Sequence, residues 1–217
     1  MTQRVVPSPR GALLCLLAFI VIGCLADEAP ARGTPARSRD RSATQAREQP
    51  RPHDRRVPVD PARLEVDDGD TVTILWTKSD REIVRILGID TPETRHVDHS
   101  IPYAQSWGPE ARAFAQGAFS TATRVELLRS ATLDPFERTL GYLFVDGHNY
   151  SVLAVEARLA LESVSHFGDN GLPKEAAEVL AAAEKAGPMP FEPPHFFRRR
   201  MATVSKWMKK NGVYPEK

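Results

Sequence analysis

Asp68, Asp70, Arg85, Asp90 and Glu93 fall in two short, separated stretches and have the types needed to cut a phosphodiester with the help of a metal ion. The first stretch is Asp68-Gly69-Asp70-Thr71, and the second runs from Arg85 through Asp90-Thr91-Pro92-Glu93 to Thr94. A third, Asp134 to Tyr142, adds Arg138 just ahead of an apolar run. Hydrolysis of a phosphate ester calls for oxygen ligands to a hard divalent cation and a further carboxylate to handle water. It also calls for guanidiniums that neutralise charge building on the phosphate oxygens. All of these residue types are present. Each has a plainer use as well: Asp70 as a turn residue, Asp90 or Thr91 as a helix cap before Pro92, Glu93 as a first-turn acid, Arg85 as a paired strand arginine. Their joint occurrence favours the cation and the phosphate.

The elements that must position them are legible as alternating and periodic patterns. Leu64-Glu65-Val66 and Val72 to Trp76 read as strands joined at Asp68-Gly69, and Glu82 to Ile89 as a third. Pro109 suits the first turn of a helix with Ala111, Phe114, Ala115, Ala118 and Phe119 on one face. Arg124 to Leu128 and Leu140 to Val145 follow as strands, then Ser151 to Leu161 and Lys174 to Ala186 as helices. Five short strands interrupted by helices predict an α+β fold, a small five-stranded OB-type barrel with helices packed around it.

From Arg63 to Ala186 the chain resembles the thermonuclease family of staphylococcal-nuclease-like domains. The resemblance lies in Asp68-Gly69-Asp70-Thr71-Val72, Arg85 to His96, Gly108-Pro109-Glu110-Ala111, and Leu140-Gly141-Tyr142 after Arg138. It implies that Asp70 and Asp90 bind calcium with the backbone carbonyl of Thr91, and that Glu93 positions or activates water. It implies equally that Arg85 and Arg138 grip the scissile phosphate, where guanidinium geometry suits bidentate contact. The implied activity is calcium-dependent hydrolysis of DNA and RNA, single strands favoured, leaving 3′-phosphates. Two departures stand out. Glu137 and Thr139 flank Arg138 where the family usually has glycine, so Glu137 is a potential competitor for that arginine. The family's base-stacking tyrosines are replaced by a stretch containing Val164, His166 and Phe167. His96, Asp98 and His99 are expected to form a polar loop beside the site rather than a zinc centre. A non-catalytic OB-fold module that binds nucleic acid or protein is the alternative, distinguished by having no reason to keep the whole constellation.

Around this domain, composition predicts three further segments. Arg4 and Arg10 precede an apolar run, Ala12 to Gly23, shorter than the ~20 residues of a spanning helix. The run ends Val21-Ile22-Gly23-Cys24, which resembles the lipobox of bacterial lipoproteins. That implies a signal peptide over 1–23, lipid on Cys24, and an exported, membrane-anchored protein facing the periplasm or cell exterior. Cys15 and Cys24 are the two cysteines, so the exported domain is expected to hold no thiol and no disulfide. Residues 24–61 are polar and rich in Arg, Pro and Ala, and are expected to form a disordered tether. The domain spans 62–187, and 188–217 is expected to be a partly ordered, basic extension with Pro and aromatic residues. The net charge of +1 excludes a strongly basic coat, so DNA or RNA must be held by local charge. No protein partner follows from these features.

Overall fold

The computed structural model describes residues 47–216; the expected signal peptide, Cys24 and the tether up to residue 46 lie outside the described residues. In chain order the elements are β1 (Arg56–Val59), a 3-10 turn (Pro61–Arg63), β2 (Leu64–Val66), β3 (Thr71–Leu75), β4 (Arg81–Ile86), β5 (Ile89–Asp90) and α1 (Gly108–Thr121). Then come β6 (Val125–Leu133), β7 (Thr139–Val145), β8 (His148–Asn149), α2 (Tyr150–Glu156), β9 (Leu161–Glu162), α3 (Val164–Phe167), α4 (Pro173–Ala186) and α5 (Pro194–Lys210).

Strand period decides which side chains enter the core. Val84 and Ile86 of β4 are buried while Arg85 between them faces the other way, as successive strand residues must. Val72 and Ile74 of β3, Leu127 of β6 and Leu143 of β7 complete that core, and Phe119 of α1 and Tyr150 of α2 close it. The main sheet runs β1-β6-β7-β4-β3-β2, with β8 on β7, and β5 pairs with β9 apart from it. Most neighbours are antiparallel; β4 and β7 are parallel, aligning Arg85 with Leu140. That register brings the lead-in to β7, and Arg138 with it, beside the strand that carries Arg85. The sheet curls into a half-barrel with helices against it, the α+β, OB-type arrangement expected.

Four expectations need correction. The ordered fold begins before residue 62: β1 pairs with β6 from Arg56↔Leu128 to Val59↔Val125, and Glu48 bridges to Thr132. Pro58 is tolerated because β1 is an edge strand. The third strand does not run unbroken to Ile89, because Gly88 adopts φ +82° and turns the chain into β5. The helix expected to reach Leu161 stops at Glu156, where the chain turns through Arg158 at φ +59° and pairs Leu161 with Asp90. Last, the basic extension contains α5, a helix of 17 residues. Its Pro194 lies in the first turn, where a missing N–H is harmless, and Phe197, Met201, Ser205 and Met208 recur at helical spacing on the buried face.

Candidate active site

Asp68-Gly69-Asp70 enters β3 as a tight turn. The Asp70 N–H donates to Asp68 Oδ1 at 3.0 Å, and the buried Tyr150 hydroxyl donates to the Gly69 carbonyl at 2.8 Å, tying the turn to the core. Asp70 is itself buried. Its Oδ2 accepts the Thr91 N–H at 2.8 Å, and its Oδ1 accepts the Thr71 hydroxyl at 3.2 Å and pairs with Arg85 Nη1. The two sequence stretches are therefore joined through one carboxylate.

Arg85 spans both acids. Its Nη2 donates to Asp90 Oδ1 at 3.3 Å and to the Ile89 carbonyl at 3.2 Å. Burial pulls this guanidinium below its ordinary pKa; Asp90 and Asp68 oppose the shift, while Arg138 and Arg198 reinforce it. Three arginines thus act on one small volume. Asp68 is shifted upward by burial, against the pull of Arg85 and His96.

Glu93 is held by its backbone. Its N–H donates to Gln105 Oε1 at 3.2 Å, and its carbonyl accepts the Gln105 N–H at 2.8 Å. The start of α1 passes so close that a Cβ on Gly108 would lie 2.1 Å from the Glu93 carbonyl oxygen. Glycine is what that approach requires. Burial raises the pKa of the Glu93 carboxyl, with Arg198 pulling against it.

Arg138 stands at the rim. Its N–H and Nε donate to Asp134 at 2.9 and 2.7 Å, which orients the side chain and leaves the two terminal nitrogens for another partner. The expected competitor, Glu137, pairs instead with Arg47. Glu137 also occupies a left-handed conformation, φ +64°, the kind of position for which glycine is the usual choice.

Two participants were missed in the sequence. Gln105 is one. The other is Arg198 of α5, whose Nη1 and Nη2 each donate to an Asp90 oxygen at 3.0 Å and whose Nη1 donates to Glu93 Oε1 at 2.5 Å. Those hydrogen bonds outweigh the effect of burial and raise the guanidinium above its ordinary pKa. Helical spacing was the available signal: it places Arg198 next to the buried Phe197 and one turn from Met201. Beside this cluster, His96 Nε2 lies 3.9 Å from Asp68 Oδ2 and 2.7 Å from the Thr94 hydroxyl, and the His96 and His99 rings stack at 5.6 Å. Val164 joins the core, whereas His166 and Phe167 are exposed, in edge contact at 4.5 Å.

The donor set is one of hard oxygens, suited in type to calcium or magnesium. Among the described residues no three acid, imidazole or thiol side chains converge as a ready-made cage. Asp70, Asp90 and the Thr91 carbonyl offer oxygens of that type. Asp90, however, has both oxygens engaged by Arg198.

Comparison with known proteins finds a family model that matches part of the chain. The match begins within β4, two residues before Arg85, and ends just after α4. It takes in Arg85, Asp90, Thr91, Glu93 and Arg138, leaving Asp70 ahead of it and Arg198 beyond it. Residues 83–187 of this chain match the family model of the staphylococcal nuclease homologues.

Proposed function

We propose that this chain is a calcium-dependent nuclease that hydrolyses phosphodiester bonds in DNA and RNA, and that it is exported and held to a membrane by lipid on Cys24. The observation that carries the catalytic reading is the convergence of Asp70, Arg85 and Asp90 from separate strands into one charged, largely buried cluster, to which Arg198 ties Glu93. Asp70, Asp90 and the Thr91 carbonyl are the groups that would hold calcium, whose chemistry there is Lewis-acid stabilisation of a phosphate oxygen. Everything else falls to side chains. Arg85 and Arg138 hold the phosphate and meet the charge that grows on its oxygens. Glu93 takes the proton of the attacking water, and a carboxyl raised by burial accepts it more readily. Single strands are the favoured substrates because their backbone enters the site without unpairing.

The metal assignment is tested by Asp90→Asn, which keeps shape and removes one charge. Calcium with a bound nucleotide is expected to raise the melting temperature of the parent and to do so far less for the variant. A parent whose melting temperature ignores calcium contradicts the site.

The anchor has its own test. Cys24→Ala is expected to move the protein from the membrane to the soluble fraction of producing cells. Unchanged membrane partitioning of the variant rejects the lipid.

A further inference from the structure

Arg198 engages both oxygens of Asp90 and one of Glu93. The nuclease reading gives these same carboxylates to the cation and to the attacking water. A guanidinium fork and a hard cation both seek such oxygens, but the two positive groups repel and cannot occupy one side of a carboxylate together. Of the arginines in contact with Asp90, Arg198 is the one free to leave: its side chain is 41% exposed, against 20% for Arg85. Its support is also separable. Phe197 and Met201 pack with Ile101 and the partly buried Val204 in a small cluster apart from the main core. Outside that cluster α5 and the segments beside it are tied mainly to the 95–105 loop. Lys209 donates to Ser100, Tyr214 to the Val97 carbonyl, and Gln105 to the Glu192 carbonyl just ahead of the helix. Small peripheral contacts of this kind open at a fraction of the cost of global unfolding.

We propose that Arg198 is a displaceable occupant of the cation site, an autoinhibitory plug carried by α5, that it and a divalent cation bind Asp90 in mutual exclusion, and that its departure also frees Glu93. This rests on the nuclease reading. It makes α5, which lies outside the family match, a latch that lowers apparent cation affinity by the fraction of time the plug is seated. A plug seated about nine-tenths of the time weakens binding about tenfold.

Calcium titration by calorimetry of the full chain tests this without reference to activity. Arg198→Gln is expected to bind calcium about tenfold or more tightly than the parent. Phe197→Ala, which loosens the latch without touching the acids, is expected to tighten binding several-fold. Equal or weaker binding by both variants, with helix content retained, overturns the plug while leaving the calcium site in place. Absence of calcium binding in the parent and in both variants removes the site, and both proposals with it.

Discussion

Replacing Arg85 by alanine is expected to lower kcat by ~100-fold or more with a much smaller change in KM. The arginine is fixed before substrate arrives, by Asp70, Asp90 and the Ile89 carbonyl. A donor held in place before substrate arrives needs little reorganisation, and on the proposed reading it gains strength as negative charge accumulates in the transition state. Arg138→Ala is expected to behave alike, because Asp134 holds Nε and leaves the terminal nitrogens available, while Glu137 is occupied by Arg47. Glu93→Gln removes the base and should join them. Steady-state kinetics on single-stranded DNA separates the cases. If Arg138→Ala stays within a few-fold of the parent, a loss under about 1 kcal/mol, Arg138 serves the fold rather than the reaction. The same result for Arg85→Ala favours the non-catalytic module.

The second large effect concerns stability. Glu82 accepts Nε and Nη2 of Arg129 at 2.7 Å each, together with the Thr139 hydroxyl and the Trp76 indole N–H at 2.6 Å. Arg129 is 2% exposed and also donates to the Pro52 carbonyl at 3.0 Å. Glu82→Leu strands the buried Arg129 guanidinium and should cost about 3–5 kcal/mol in urea unfolding, whereas Arg129→Met leaves Glu82 a cation in Arg51 Nε at 3.6 Å and should cost less. The double replacement should recover part of that loss, since no buried charge is left, while the Thr139 hydroxyl, the Trp76 N–H and the Pro52 carbonyl lose their partners. Acid should weaken the same network. Burial alone would raise the Glu82 pKa, but the hydrogen bonds from Arg129 and Thr139 prevail and hold it below its ordinary 4.5. A depressed carboxyl stabilises the fold above its unfolded value, and that contribution disappears as pH falls through the folded one. The double variant should therefore lose less stability than the parent as pH falls below the ordinary carboxyl range. Identical acid profiles would place the acid sensitivity elsewhere.

That network also marks where sequence reading ends. The hairpin at Asp68-Gly69, the α1 face, the α4 periodicity and the acids of the candidate site were legible because each is local. Turn chemistry and helical or strand period need only a few neighbouring residues. Glu82 and Arg129 stand 47 positions apart and read singly as solvated strand charges. Only the curled sheet, with the segment from Gln49 to Pro52 laid against it, turns them inward. The same limit hid β1, whose Arg-Val-Pro-Val composition suits a tether until β6 offers it an edge. It hid α5 as well. Four prolines and six cations between Gly187 and Lys210 argue for an irregular segment, yet three of those prolines precede the helix and the fourth opens it. Arg198 reaches Asp90 across 108 positions, a distance that no motif spans.

Calcium-dependent cleavage is open to a direct assay: incubation of the purified chain with single-stranded DNA, in calcium and then in excess chelator. Cleavage in calcium to products with 3′-phosphates is expected, with its loss on chelation and its return with added calcium. Intact DNA bound to the protein in saturating calcium would contradict it.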